Sequence, residues 1–462
     1  MLEGAFNSAS SEFVAVYGRR RVGKTFLVKE TFKNNFTFHY AGIFDVPNKV
    51  QLKEFYLSLK RDGLEDEPAP KDWFEAFHLL EKLIEKSKKS RKVIFIDELP
   101  WMDRKNSRFL QALEHFWNGW ATLRSDILLI ICGSASSWII NHIFRQKGGL
   151  YNRVTRRIHL KQFSLSECEE LSKAMRLPFS KNHIMETYMI IGGVPYYWTL
   201  FDPGKSMAAN INSLFFRDDG ELHNEFRYIY SSMFKSPEKC IKVMEALAGR
   251  KAGLTRDEII NKTGMKSNGQ LSDILEDLAE CGLIRKYCSL NKNVKDALYQ
   301  LIDFYTLFYY RFLKSALNVD EDYWLRLQKT QEYSVWCGLA FEKVCLMHSY
   351  QIKKALGIRG VMANIFSWSV RTNQYHPGTQ IDLLFDRADN IIDVCEIKYA
   401  PGGYNMTAAS LRKLKEKISI LSQYVSSQKF IEPVMITSNG MNRNKYSEEI
   451  THWISGESLF DD

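Results

Sequence analysis

Over the first 160 residues, short unbroken apolar runs alternate with longer stretches whose apolar positions recur every three to four residues. The runs suit strands buried on both faces and the longer stretches suit amphipathic helices, so this segment predicts a parallel sheet covered on both sides. Strands are expected near 13–17, 36–41, 92–97, 126–132 and 156–160, with helices between them, including 71–88 and 105–120. From 161 to 232 the pattern is mostly helical. Ile191-Gly192-Gly193-Val194-Pro195 interrupts it, either as a helix stop and turn or as a lid element.

From about 236 to 303 the rhythm shortens. Thr255-Arg256-Asp257-Glu258 is a capping box that opens a helix ending at Gly264. After a turn at 266–269, Gln270–Glu280 reads as a second helix, and Leu283–Ser289 and Ala297–Ile302 read as strands. This is the layout of a winged helix-turn-helix. The candidate recognition helix carries Asp273, Glu276, Asp277 and Glu280, which repel phosphate, whereas Lys262, Lys266, Arg285 and Lys286 are available for backbone contacts. The charge pattern leaves DNA contact and a packing role both open. The aromatic-rich stretch 304–335 reads as a buried connector helix. The expected domains are therefore 1–160, 161–235, 236–303, 304–335 and 336–462.

The first chemistry lies in Gly18-Arg19-Arg20-Arg21-Val22-Gly23-Lys24-Thr25, placed between the apolar run Phe13–Tyr17 and the helical Phe26-Leu27-Val28. Strand, glycine-bounded loop, Lys-Thr and helix form the complete context of a phosphate-binding loop. Backbone N–H groups of 18–26 and the helix N-terminus suit a polyphosphate, with Lys24 reaching the β- and γ-phosphates and Thr25 ligating Mg²⁺. Val93-Ile94-Phe95-Ile96-Asp97-Glu98 follows about 70 residues later and delivers two carboxylates at a strand end. Asp97 is expected in the Mg²⁺ shell and Glu98 beside the attacking water. Ser134, at the end of the next strand, is the candidate γ-phosphate sensor. Among the arginines of 149–157, Arg153 is the candidate finger in cis or from another copy of the chain, the alternative being surface arginines without a catalytic role.

A second constellation lies in the C-terminal region. Gly378–Asp386 and Ile391–Lys398 read as a hairpin joined by Arg387-Ala388-Asp389-Asn390. Glu396 and Lys398 share a strand face, and Asp382 on the partner strand can converge with them. Two carboxylates with the Ile397 carbonyl make a hard oxygen site for Mg²⁺, with Lys398 orienting a water or neutralising a phosphate. Glu342, on a helix expected over 336–356, offers a third carboxylate. The alternative is an ordinary Glu/Lys ladder on a half-exposed hairpin. Thirteen residues separate Asp382 from Glu396 and one separates Glu396 from Lys398; a helix precedes the hairpin, and a basic helix (410–421) and a strand (432–437) follow it.

Composition changes this picture little. The formal net charge of +9 favours a polyanionic partner without identifying one. The eight cysteines include no CxxC pair, so reduced thiols in a cytoplasmic protein are expected. No apolar run is long enough for a bilayer, and the first residues carry no export signal.

Tyr-Gly-Arg-Arg-Arg-Val-Gly-Lys-Thr at 17–25, Ile-Asp-Glu-Leu-Pro-Trp at 96–101, Cys-Gly-Ser at 132–134 and Gly-Gly-Val-Pro-Tyr-Tyr at 192–197 resemble the archaeal-type, STAND-like AAA ATPases. With Tyr299–Phe312 and the Asp382…Glu396-Ile397-Lys398 segment, the resemblance extends over nearly the whole chain. It implies an α/β P-loop NTPase core with a helical lid, a winged helix-turn-helix, and a small restriction-endonuclease-like domain of the PD-(D/E)xK kind. It further implies ATP hydrolysis by Lys24, Thr25, Asp97 and Glu98, and a metal-dependent nuclease-like site at Asp382, Glu396 and Lys398 with Glu342. Only Met1–Glu12 precede the first strand where the family usually carries a longer, Arg-containing stretch, and Tyr151-Asn152-Arg153 stands where the family often has Tyr-Gly-Arg. The expected function is an ATP-hydrolysing switch coupled to a DNA-directed nuclease-like domain, with homo-oligomers among its assemblies. The alternative is a regulatory ATPase that binds DNA or a partner without cleavage. A third reading, a sequence-specific transcription factor, is disfavoured by the acidic helix.

Overall fold

The structure is a computed structural model and describes residues 1–145, 148–234, 236–290, 296–316, 322–374 and 376–461. The chain divides into two compact units, Met1–Lys161 with Ser231–Lys235, and Gln162–Tyr230 with Ser236–Asp462.

In the first unit, β1 (Glu12–Tyr17), β2 (Phe38–Ala41), β3 (Lys92–Asp97), β4 (Ile127–Gly133) and β5 (Arg156–His159) form one sheet in the order β2-β3-β4-β1-β5. Every pairing is parallel. The helices are α1 (Leu2–Phe6), α2 (Lys24–Phe32), α3 (Asn48–Arg61), α4 (Trp73–Lys86), α5 (Phe109–Gly119) and α6 (Ser136–Ile139), the last continuing as a π turn over Ile140–Arg145. Strand alternation divides the core between the two faces. Phe13, Ala15, Ile94, Ile96 and Ile131 join one cluster, and Val14, Val16, Phe95, Ile130 and Cys132 join the other. Both faces of β4 are therefore apolar, which is why it reads as an unbroken run. Helix α5 starts at Phe109, later than its periodicity suggests, because Asn106 and Arg108 take left-handed backbone at φ 64° and 57°.

The second unit begins with α7 (Leu165–Ala174), α8 (Lys181–Ile191), α9 (Pro195–Trp198), α10 (Met207–Ile211) and α11 (Glu225–Met233), whose last residues belong to the first unit. Gly192 ends α8 at φ 64°, and a Cβ on Gly193 would lie 1.9 Å from the Phe163 carbonyl oxygen. The Gly-Gly pair thus serves as a helix stop with a close backbone approach. Next come α12 (Pro237–Ala248), α13 (Arg256–Thr263) and α14 (Gly269–Glu280), with β6 (Leu254–Thr255), β7 (Ile284–Tyr287) and β8 (Leu298–Leu301) in an antiparallel sheet ordered β6-β8-β7. The capping box at Thr255 and Glu258 forms, and Gly264 caps α13 in the left-handed conformation.

The aromatic stretch breaks into α15 (Phe304–Phe308), a π turn over Tyr309–Leu313, and α16 (Tyr323–Leu327). Residues 317–321 of the expected connector lie outside the described residues. Phe308, Phe312, Trp324 and Trp336 pack together, with ring centroids 5.2 Å apart for Phe308–Trp324 and 5.5 Å for Phe312–Trp336. The helix expected over 336–356 is two helices, α17 (Gln331–Met347) and α18 (Ser349–Ala355). His348 separates them at φ −102° and ψ 29°, its Nε2 accepting from the Leu165 N–H at 3.1 Å.

The C-terminal sheet contains β9 (Ala363–Val370), β10 (Thr379–Arg387), β11 (Ile391–Lys398), β13 (Phe430–Thr437) and β15 (His452–Ser455), in the order β15-β13-β11-β10-β9. The three strands β9, β10 and β11 pair antiparallel, whereas β13 runs parallel to β11 and β15 parallel to β13. A separate short pair joins β12 (Tyr404–Asn405) to β14 (Met441–Asn442). Helix α19 (Ala408–Ser422) packs on β10 and β13, and α17 packs on β11. All eight cysteines are free thiols, seven of them buried. Among the described residues, no helix is long and apolar enough to cross a membrane.

Candidate functional site

The loop between β1 and α2 needs both of its glycines, for different reasons. Gly18 sits at φ 152°, and a Cβ there would lie 2.1 Å from the Leu160 carbonyl oxygen. Gly23 has open space around it but takes φ 91° as the N-cap of α2. Lys24 is buried, and its Nζ donates to the carbonyl oxygens of Gly18 at 2.9 Å and Arg19 at 2.7 Å. The loop therefore curls around its own ammonium, with the α2 N-terminus alongside. Arg19 and Val22 are buried, and Arg20 and Arg21 are half-buried. The Phe26 side chain is 70% exposed, which confines its part in phosphate binding to its backbone.

Two further strand ends converge here. Thr25 Oγ1 donates to Asp97 Oδ2 at 2.7 Å, and Asp97 Oδ1 accepts from the Glu98 N–H at 2.9 Å. Glu98 takes left-handed backbone at φ 46°, which turns its side chain toward β4. There the Ser134 N–H donates to Glu98 Oε2 at 3.1 Å and the Ser134 hydroxyl donates to Oε1. The order β3-β4-β1 explains this meeting, because Ser134 follows the strand lying between the phosphate loop and the acidic pair. Hydroxyl and carboxylate oxygens at Thr25 and Asp97 match the hard donor set that Mg²⁺ requires. Gly42 escaped the sequence reading. Its N–H donates to the Asp97 carbonyl at 2.9 Å, and a Cβ there would lie 2.7 Å from the Glu98 carbonyl oxygen. A lone glycine after a short strand carries no signal of such a contact.

Among the three arginines near β5, Arg156 pairs with Glu12 at 3.1 Å and Arg157 lies 4.3 Å over the Phe144 ring. Arg153 is exposed in a turn, with its N–H donating to the Leu150 carbonyl.

The C-terminal constellation assembles around lysines. Leu383 pairs with Cys395, so the next step of the antiparallel ladder sets Asp382 across from Glu396. Glu396 forms 2.8 Å ion pairs with Lys398 and with Lys417 of α19. Burial pushes the Glu396 carboxyl up, but Lys417 and Lys398 outweigh it and hold it below its ordinary value. Glu342 on α17 and Asp382 on β10 share one ammonium, that of Lys251, at 2.7 Å and 3.0 Å. Burial, reinforced by the Asp382 charge, pushes Glu342 up to about 7 despite Lys251. Asp382 is fixed further by Gln380 Nε2, which donates to Oδ1 at 2.6 Å, and by Ser367 Oγ, which donates to its carbonyl at 2.6 Å.

In this arrangement Glu342 and Asp382 pair with Lys251, and Glu396 pairs with Lys398 and Lys417. Among the described residues, no three His, Cys, Asp or Glu side chains are grouped so as to hold a metal ion. One sequence expectation is corrected here. Arg285 is not available for a nucleic-acid backbone. Its Nε donates to Gln300 at 2.6 Å and its Nη2 to Ser367 at 2.9 Å, and burial lowers its pKa to about 10. Beside it, burial and the Arg285 charge bring the Lys343 ammonium down to about 7. Lys262, Lys266 and Lys286 are exposed, as are Asp273 and Glu276. Lys251, Lys417, Gln380 and Ser367 were not singled out in the sequence. Lys251 is 131 residues from Asp382, and no local spacing announces such a contact.

Residues 1–201 match the family described as an ATPase domain predominantly from Archaea. This segment is therefore similar to archaeal ATPase domains. A protein of Methanocaldococcus jannaschii described as uncharacterized is 26% identical over 404 residues, covering 83% of this chain and 81% of the relative. Among solved structures, a Walker-type ATPase of Pyrococcus abyssi superposes with a TM-score of 0.47 at 16% identity, over 67% of this chain and 93% of that one. The ORC2 protein of Aeropyrum pernix, solved with ADPNP and ADP, gives 0.39 at 13% identity, over 75% and 92%.

Proposed function

We propose that this chain is an ATP-hydrolysing switch that controls a metal-dependent, DNA-directed phosphodiesterase site in its own C-terminal region. The observation that carries the ATPase half is the convergence of Lys24, Thr25, Asp97, Glu98 and Ser134 at the ends of β1, β3 and β4. ATP would lay its phosphates along 18–26, with Lys24 leaving the Gly18 and Arg19 carbonyls for phosphate oxygens. Thr25 and Asp97 would hold Mg²⁺, which neutralises charge on the β- and γ-phosphates when bound. Glu98 would orient water for in-line attack, and Ser134, which grips Glu98, would couple its position to the γ-phosphate. Arg153 is the candidate finger, within one chain or between copies of it.

The domains in this reading are an ATPase core (1–160), a helical lid (161–235), a winged helix-turn-helix (236–303), a helical connector (304–335) and a PD-(D/E)xK nuclease-like domain (336–462). Three helices with a three-stranded antiparallel sheet support the third of these. The hairpin setting Asp382 across from Glu396, with Lys398 on the same face and α17 delivering Glu342, supports the last. Asp382, Glu396 and Glu342 supply oxygen donors of the kind Mg²⁺ takes, and Lys398 is placed to orient water or offset phosphate charge.

A second reading, a regulatory ATPase that binds DNA or a partner without cleaving, draws on the lysines occupying those carboxylates and on the acidic face of α14. Incubation of the full chain with supercoiled plasmid and Mg²⁺ or Mn²⁺ separates the two. Metal-dependent nicking that disappears in Lys398→Ala supports the first. ATP hydrolysis without cleavage under any nucleotide supports the second.

A further inference from the structure

Lys251 lies outside both constellations recognised in the sequence, yet it pairs with two of the expected metal ligands. Its Nζ lies 2.7 Å from Glu342 Oε2 and 3.0 Å from Asp382 Oδ2. A single positive charge thus sits between two carboxylates that would otherwise repel each other in a partly buried setting. The residue is held from behind as well. Its carbonyl accepts from Gln300 Nε2 on β8 and from Lys343 Nζ at 3.3 Å. The next carbonyl, of Ala252, accepts from the Tyr287 hydroxyl on β7 at 2.5 Å. Gly253 closes the turn at φ 85°, where a Cβ would lie 2.3 Å from the Tyr299 carbonyl oxygen. The loop carrying Lys251 is therefore fixed to the β6-β8-β7 sheet, while the ammonium reaches carboxylates on α17 and β10.

We propose that Lys251 is a built-in competitor for the divalent cation of the C-terminal site. Its ammonium satisfies Glu342 and Asp382 in the position a metal ion would take, and the site accepts that ion only as Lys251 withdraws. The inference rests on the reading of Glu342, Asp382 and Glu396 as metal ligands. The chemistry favours exchange over co-occupancy. A divalent cation needs those oxygens at about 2.0–2.6 Å, and an ammonium at hydrogen-bonding distance from both would be strongly repelled by it. Because the loop is tied to the three-helix unit, displacement of that unit is the motion that would retract the lysine.

The test uses the full chain without nucleotide and Mn²⁺ as the probe, with bound ion read by electron paramagnetic resonance. Lys251→Met is expected to bind Mn²⁺ at least tenfold more tightly than the wild type, and the gain should vanish in Lys251→Met/Asp382→Asn. In the wild type, Mn²⁺ should raise the acylation rate of the Lys251 amine threefold or more, read by peptide mass spectrometry. Equal Mn²⁺ affinity in wild type and Lys251→Met, with acylation indifferent to Mn²⁺, overturns the competitor role but leaves the metal-site reading standing. No Asp382-dependent uptake of Mn²⁺ in a folded Lys251→Met overturns both. If Lys251→Met does not fold, the wild-type acylation result decides: acceleration supports the competitor role and indifference overturns it.

Discussion

Thr25 at the start of α2 and Asp97 at the end of β3 are joined by a 2.7 Å hydrogen bond, although β1, which leads into the loop before Thr25, is not a neighbour of β3 in the sheet. Strand β4 lies between them, so the bond spans the crevice at its C-terminal end, where open parallel sheets bind ligands. The hydroxyl that would ligate Mg²⁺ already points at the carboxylate that would share it. Lys24 belongs to the same loop, its ammonium held by the Gly18 and Arg19 carbonyls.

Lys24→Ala is therefore expected to weaken ATP binding by at least a hundredfold with the fold retained, since a charge-assisted contact to phosphate is lost along with the strut of the loop. Titration with a fluorescent ATP analogue in the presence of Mg²⁺ checks this. Wild-type affinity in the variant would contradict the phosphate-loop assignment.

Glu98 and Ser134 should separate hydrolysis from binding. Glu98→Gln keeps the shape and the Ser134 contacts but not the charge that orients and activates water, so turnover should fall about 10²–10⁴-fold with ATP affinity within a few-fold of wild type. Ser134→Ala removes the hydroxyl that fixes Glu98 and should lower turnover by a smaller factor, on the order of tenfold. Phosphate release under saturating ATP, measured beside equilibrium binding, distinguishes these outcomes from a general loss of structure.

These residues were readable in the sequence because phosphate-loop chemistry is local. Gly18 to Thr25 is one turn of chain, and Asp97-Glu98 is one strand end. The alternation of Phe13 and Ala15 with Val14 and Val16 likewise shows a sheet buried on two faces. What could not be read was long-range or steric. Gly42 matters because of the carbonyl it approaches, and Lys251 and Lys417 matter because of where the fold sets them. Charge pattern misassigned Arg285 for the same reason, since an arginine on a wing-like strand looks exposed until Gln300 and Ser367 enclose it. The break at His348, whose Nε2 accepts from the distant Leu165 N–H, was also invisible.

The two loop glycines should respond differently to alanine. At Gly18 the added Cβ meets a backbone oxygen at 2.1 Å, so strand, loop or β5 must move, and a loss of about 2–4 kcal/mol is expected. At Gly23 only the left-handed backbone is penalised, about 1 kcal/mol. Urea denaturation of both variants checks the ranking, and equal losses would show that the Leu160 contact is not a constraint.

Asp126 gives an acid-side prediction in the same unit. Burial raises its carboxyl, but Arg124 and Lys92 outweigh it and carry it from an ordinary 3.8 to about 2. A depressed carboxylate stabilises the fold above its unfolded value, and that stability is lost as pH falls from about 4 through 2. Asp126→Asn should cost about 1 kcal/mol at pH 7, allowing for screening at its partly exposed site, and should flatten the stability curve between pH 4 and 2. Chemical denaturation at stepped pH measures both.

Nucleic-acid contact by the three-helix unit can be read from salt dependence. Lys262 and Lys266 are exposed around the turn between α13 and α14, whereas Arg285 is enclosed and Asp273 and Glu276 face solvent on α14. If this unit lies on a phosphate backbone, each lysine in contact releases about one counterion, and the double variant Lys262→Ala/Lys266→Ala should lower the slope of log affinity against log salt by about 2. Arg285→Ala should leave the slope unchanged and lower thermal stability instead, since it strips Gln300 and Ser367 of a buried donor. Fluorescence anisotropy with a duplex oligonucleotide across a salt series provides the measurement. An unchanged slope in the lysine double variant would place any DNA contact elsewhere and leave the unit a packing role.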